Sequence, residues 1–427
     1  MNDIKEKIYT EQNINGADVT PSYQQVGIQE IAKALQIDET NIRYSIDIFE
    51  ISPRLPTNHN NETTQPSQQN KLQIKDFNAL LLYQYKLLFR QCEFNVSLSI
   101  NYGLKCRQVA FYDCAFNDKW LIKNLSVDDT FSMENCTFNK DVDFSNGKFL
   151  NNVYFNNSHF KGYADFHECE FEKTACFYGA TFDNPPNFSQ AIFKENLNFV
   201  NVKCDFEFEN LKERIKQEKE QDSKKTLDKF ANDFRDSFRL IKNALIKDNN
   251  LLDASNFHKY ELYCKEIELD SKNPKIFSKD WIDKIQLCFY RKLCNHHTDL
   301  ILNLKWLVIT IGLFTILFFA SKIIQGKEIL NLNHYGIALS ASSCIMIVLL
   351  CLFDYLKLLG GFAYLNLVAT LWLVCYNPKL IFGVVNILGD SCFNSFENIV
   401  MVTYTIMMFL VVFSLQKTAR KNSIIPH

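Results

Sequence analysis

The chain is expected to have a mixed fold in three parts: a solenoid of short stacked coils, an α-helical neck and a four-helix transmembrane region. Three observations predict it. An eleven-residue apolar period fills the middle of the chain, helical spacing follows, and four uncharged apolar stretches come last. The divisions fall at residues 1–88 (an N-terminal extension), 89–204 (the repeat), 205–303 (a helical connector), 304–415 (the membrane helices) and 416–427 (a basic tail).

Composition limits the alternatives. Hydrophobic residues make up 47% of the 427, enough to fold most of the chain. A net charge of −2 removes bulk attraction to nucleic acid as a default, so no nucleic-acid partner is expected. The 14 cysteines include no CxxC pair, and read as reduced thiols serving as small hydrophobes. Residues 1–20 carry charges throughout, so no cleaved export signal is expected there. In the extension, residues 28–35 suit a short helix, and the Asn/Gln/Thr-rich residues 57–70 have too little apolar surface to fold and suit a linker.

The repeat is neither strand-like nor helix-like in period. Steps of eleven from Phe89 land on Ile100, Phe111, Ile122, Met133, Phe144, Phe155, Phe166, Phe177, Phe188 and Phe199, all apolar. A second series starts five residues later: Phe94, Lys105, Phe116, Val127, Phe138, Phe149, Phe160, Phe171, Phe182, Phe193 and Cys204, broken only by Lys105. Two residues before each member of the second series stands a mostly small residue: Cys92, Gly103, Cys114, Leu125, Cys136, Gly147, Ser158, Cys169, Ala180, Ala191 and Val202. An eleven-residue coiled coil shares this period. Phe and Cys suit its seam poorly, however, and Pro185-Pro186 would interrupt it. Stacked coils of about 22 residues, roughly five in all, fit better, with large and small residues alternating across a narrow interior. Trp120 and Phe131 occupy small-residue slots, so residues 120–133 are expected to form a distorted coil.

The units Ala164-Asp165-Phe166, Ala180-Thr181-Phe182 and Ala191-Ile192-Phe193 resemble the pentapeptide-repeat family, whose unit runs A-(D/N)-(L/F)-x-x. The resemblance implies a right-handed quadrilateral β-helix with the central Leu or Phe and the small residue inward, here with one residue inserted every second unit. The phenylalanines at 144, 149, 155, 160, 166, 171, 177, 182, 188, 193 and 199 would then form its core.

Beyond the repeat, residues 207–225 are charge-dense and suit a solvated helix. Phe230, Phe234, Phe238, Ile241 and Leu245 repeat with amphipathic helical spacing, and further helices are expected at 253–268 and 281–293. The residues Phe238-Arg239, Asn249-Asn250, Asp253-Ala254, Phe257-His258, Phe289-Tyr290-Arg291 and His296-His297-Thr298-Asp299 resemble the helical connector of a group of bacterial pentapeptide-repeat membrane proteins. That resemblance implies membrane association and little more about function.

Residues 306–321, 335–353, 358–376 and 398–415 are apolar enough to cross a hydrocarbon core, which takes ~20 helical residues. Residues 380–388 are too short to span and suit an interfacial or re-entrant segment. Arg291, Lys292, Lys305, Lys357, Lys417, Arg420 and Lys421 lie at one set of ends, against Lys322, Lys327 and Lys379 at the other. By the positive-inside rule both termini are cytoplasmic and the chain is a multi-pass protein of the cell (inner) membrane.

For chemistry, the best cluster is His258 with Glu261, plus His296, His297 and Asp299. A His and a Glu three apart share a helix face and could share a metal. The ordinary reading is a polar, hydrogen-bonded collar above the membrane, joined by Glu266 and Arg291. No P-loop, GxSxG, GxGxxG or kinase signature occurs, so no enzyme, no catalytic residue, no cofactor and no resident metal are expected. A membrane-tethered protein-interaction scaffold is the leading expectation, with the bilayer and an unknown protein as partners and self-association compatible. A channel or transporter is one alternative, though the chain lacks a TVGYG-like filter. A DNA-mimicking, topoisomerase-binding rod is the other. Residues 89–204 hold 14 acidic and 11 basic residues, a weak imbalance for a duplex mimic.

Overall fold

The computed structural model describes residues 22–53, 71–221, 225–325, 334–352, 357–376, 378–382 and 394–420. It divides into two compact units, Met1–Asp205 and Phe206–His427.

The first unit is a β-solenoid of about six turns. Its strands are two to four residues long and fall into four sheets, one per face. Within a face each strand pairs in parallel with the strand one coil on. On one face Phe94, Phe116, Phe138, Phe160 and Phe182 stand on successive rungs 22 residues apart. Their rings stack at 4.7–4.9 Å, nearly parallel. That distance is the inter-strand spacing, so the backbone ladder sets the ring stacking. Ten of the eleven core phenylalanines named from the repeat are at most 2% exposed; Phe193 on the last coil is half-buried.

Local chemistry explains the repeat. Asp113, Asn124, Asn135, Asn146, Asn157, Glu168, Gly179, Gln190 and Asn201 all have φ between 53° and 67°, one every eleven residues. Each turns the chain two residues after an inward residue, and Asn recurs because it tolerates the left-handed region best after Gly. The Asp or Asn before the inward Phe closes the same corner. The Oδ1 atoms of Asp143, Asp165, Asn187 and Asn198 accept the backbone N–H two residues on, at 2.9–3.0 Å. The small slot often holds Cys or Ser because its side chain donates to a carbonyl on the preceding coil. Cys136 Sγ reaches Phe111 O at 3.5 Å, Ser158 Oγ reaches Met133 O at 2.7 Å and Cys169 Sγ reaches Phe144 O at 3.0 Å. The described cysteines are free thiols.

Three features differ from the sequence reading. Lys105 breaks the second series because the inward residue is Cys106, which pairs with Val127, while Leu104 rather than Gly103 pairs with Leu125. The chain slips by one residue between Ile100 and Leu104 and recovers by Phe111. Lys105 points outward and pairs with Asp128 at 2.7 Å. Residues 120–133 are not distorted: Trp120–Ile122, Leu125–Val127 and Phe131–Glu134 pair in register with the coils on either side. Volume is conserved instead. Trp120 and Phe131 fill small slots while Ile122, Val127 and Met133 replace Phe on the same coil, and all are buried. The third difference lies upstream.

Residues 22–53 and 71–88 are more than an extension, because they cap the solenoid. Helix α1 (Tyr23–Leu35) buries Ile31 and Leu35. Ile48–Ile51 pairs in parallel with Leu87–Arg90, and Ile42–Ser45 closes that sheet antiparallel. Phe77 packs on Phe89, Phe94 and Trp120. The expected linker, residues 57–70, lies outside the described residues.

The second unit is helical. Helix α2 (Leu80–Gln84) belongs to the first unit; α3 (Phe208–Gln221), α4 (Leu227–Lys247), α5 (Leu251–Ser271) and α6 (Lys279–Cys294) make the neck. Helix α3 is not solvated all round, since Leu211 and Ile215 are fully buried. Phe230, Phe234, Phe238, Ile241 and Leu245 of α4 are buried, and Phe238 packs on Phe257 and Tyr260 of α5. The apolar helices are α7 (Leu300–Ile324), α8 (His334–Leu352), α9 (Leu358–Tyr376) and α10 (Ser395–Ala419). Among the described residues only α7 and α10 are long and apolar enough to cross a membrane, by length and composition. Of the segment expected to re-enter, residues 383–388 lie outside the described residues; Pro378–Ile381 is a single 3₁₀ turn.

Helices α7 and α10 run antiparallel, tied by polar contacts at both ends. At one end Asn303 Nδ2 donates to Ser414 Oγ at 3.0 Å and Thr418 Oγ1 at 3.3 Å. At the other, Glu397, 1% exposed, meets Lys322 Nζ at 2.8 Å and Gln325 Nε2 at 3.0 Å. Between them Phe314 stacks on Tyr404. Gly312 lies so close to the backbone of Asn366 on α9 that a Cβ there would clash.

Candidate functional site

Two regions carry outward chemistry, the solenoid faces and the collar between α5, α6 and the apolar helices.

On the faces, residues one coil apart stand on adjacent rungs, so charges 22 apart meet. Lys119 pairs with Asp141 (3.1 Å), Lys148 with Glu170 (3.2 Å), and both Lys194 with Glu172 and Lys173 with Glu195 at 2.6 Å. Each pair is open to solvent, which screens the attraction. Their arrangement matters more than their energy, since each of these lysines stands beside a carboxylate on the adjacent rung. A neutral counterpart runs beside the Phe94 face. Asn95 Nδ2 donates to Gln73 Oε1 at 2.6 Å, Asn117 to Asn95 at 2.7 Å and Asn139 to Asn117 at 2.6 Å. Such amide ladders need one rung spacing and no more.

The collar starts from helix spacing. His258 and Glu261 share a face of α5, with Nδ1 and Oε2 3.4 Å apart, and Lys242 of α4 donates to Glu261 at 2.6 Å. Burial raises the Glu261 carboxyl, but the hydrogen bonds from His258 and Lys242 outweigh it and hold the pKa below its ordinary value. One turn on, Glu266 takes both Nε and the Nη2 of Arg291 at 2.9 Å, a bidentate pair tying α5 to α6.

After α6 the chain reverses through Asn295, His296 and His297, all with positive φ. His296 packs against the Tyr263 ring. His297 Nδ1 faces Ser414 Oγ and Thr418 Oγ1, each at 3.4 Å, and Cys294 Sγ at 3.5 Å. Burial pushes both imidazoles down, His296 to about 3 and His297 to about 4, so they are neutral at pH 7. Asp299 leaves the group to cap α7, its Oδ1 accepting from Leu302 N at 2.8 Å. The five cluster residues therefore split into a His258–Glu261–Lys242 triad, a His297 hydroxyl pocket, a separate His296 and a helix cap. Among the described residues no group of three His, Cys, Asp or Glu is placed to hold a metal. Ser414, Thr418 and Asn303 were missed from the sequence. Their only signal is polar residues inside apolar runs.

Residues 126–170 and 166–207 match the family model described as Pentapeptide repeats (9 copies). The match begins after the slipped coil. No curated protein and no solved structure matches the chain. With the four-faced ladder, the Asp/Asn corners and the matched repeats in place, residues 126–207 are pentapeptide repeats within a β-solenoid, and a helical unit follows whose apolar α7 and α10 are consistent with a membrane anchor.

Proposed function

We propose that the protein is a non-enzymatic interaction scaffold, anchored in the inner membrane by four helices, with the solenoid and both termini on the cytoplasmic side. The membrane part rests on exposure. Only 33% of the most apolar stretch of α7 and 22% of that of α10 are buried, whereas the core helix of a soluble protein is mostly buried. Leu313, Ile316, Ile399, Ile406 and Phe409 are left 45–70% exposed, a surface suited to lipid. Helices α8 and α9 are shorter apolar companions, and the basic asymmetry read from the sequence is carried mainly by Arg291, Lys292, Lys305, Lys417, Arg420 and Lys421.

The observation that carries the scaffold is the division of labour within each coil. Inward positions are consumed by packing and corner positions by turn geometry, so the outward strand positions remain free for recognition. The pairing of lysines with carboxylates on adjacent rungs leaves no run of basic charge there, which favours a protein surface over a nucleic-acid groove. The test is site-specific photocrosslinking in native membranes from Tyr154, Glu170 and Thr181, which stand outward on three faces. A discrete adduct from one face and not the others supports docking; recovery of lipid and self-adducts alone refutes it.

A further inference from the structure

A cavity of about 520 Å³ opens where α5, α6, the 295–299 turn and the end of α10 meet. Its walls divide by chemistry. Leu262, Leu287 and Phe413 make an apolar side. The polar side holds Lys417, His296 and Lys265. Lys265 is shared with Glu268 at 3.0 Å, whereas half-buried Lys417 makes no ion pair among the described residues. Asp283 is the single carboxylate on the wall. His296 is 3% exposed, and its Nε2 is buried without a hydrogen-bond partner. A buried polar nitrogen is normally satisfied, so one without a partner on a residue that lines the cavity, together with an uncommitted ammonium on the same wall, marks a place for an acceptor with negative charge.

We propose that this cavity binds a phosphate group, with the Lys417 ammonium as countercharge and His296 Nε2–H as a directed donor. The group can arrive as an anionic phospholipid headgroup, its hydrocarbon along the apolar side, or as soluble phosphate. The site is independent of what the solenoid docks.

The test uses the full chain in nanodiscs. Native mass spectrometry of protein released from discs of phosphatidylglycerol and phosphatidylcholine reads the lipid source. Titrating inorganic phosphate into phosphatidylcholine discs, followed by the side-chain ¹⁵N resonance of His296, reads the soluble source. Saturable retention of phosphatidylglycerol supports a headgroup site, and a saturable ¹⁵N response supports a soluble-phosphate site. Lys417→Gln should weaken the responding arm about tenfold, the loss expected of one charge-assisted hydrogen bond. His296→Asn should weaken phosphatidylglycerol retention similarly, and Lys357→Gln, at the start of α9 and outside the cavity, should leave the responding arm unchanged. No saturation in either arm overturns the proposal. So do equal losses in the Lys417 and Lys357 variants, which would mean diffuse attraction to a basic membrane edge.

Discussion

The solenoid and the helical unit are stabilised in opposite ways. In the solenoid each side chain does what its place in the repeat dictates, and its partners stand 22 residues away on the next rung. The helical unit depends on particular pairs, such as Glu266 with Arg291 and Asn303 with Ser414, the latter 111 residues apart. A repeat core therefore spreads stability evenly, whereas the helical unit concentrates it in a few buried polar contacts.

The largest effect should come from breaking the even side. Phe166→Asp buries a charge among Phe144, Phe155, Phe177 and Phe188, where no partner exists to neutralise it. It should unfold the solenoid while the helices persist. Limited proteolysis of the full chain should show cleavage throughout 89–204 with the helical unit protected.

On the concentrated side, Glu266→Ala leaves the Arg291 guanidinium without its bidentate partner. A loss of ~3–5 kcal/mol is expected for a broken buried pair. Denaturant unfolding followed by Trp281 fluorescence checks it, and a loss under 1 kcal/mol would undo the contrast.

A smaller, graded effect comes from pH. His296 and His297 are held below the ordinary histidine range, so the unfolded chain binds more protons than the folded one as pH drops below about 6.5. Neck stability should therefore fall by ~1.4 kcal/mol per pH unit for each imidazole, levelling off near pH 4 for His297 and pH 3 for His296. Thermal melts between pH 7 and pH 4 should show the slope, reduced in His296→Asn. The solenoid sharpens the comparison at the small end. Asn146→Val places a β-branched residue at φ 56° and should cost ~1–2 kcal/mol, while Asn146→Gly should be near neutral, by chemical denaturation.

What the sequence revealed follows the same division. The ladder was legible because one period serves every coil, and even the break at Lys105 was visible. Its cause was not, since a one-residue slip that later recovers leaves no trace in composition. The cap escaped notice because Ile31, Leu35, Phe49, Ile51, Ile74 and Phe77 come from short separate segments without a shared period. In the collar, His258 and Glu261 were legible from i, i+3 spacing within one helix. The surroundings of His297 were not, because Ser414 and Thr418 arrive from the far end of the chain and only tertiary packing brings them together.

The antiparallel Ile42–Ser45 strand at the head of the ladder has a consequence for assembly. A parallel stack ending in a bare rung would be a template on which identical rods could add end to end without limit. Reversing the outermost strand, with α1 packed beside it, removes the pattern of donors and acceptors that an incoming coil would need. One of the four faces is thereby closed to end-on addition at that tip.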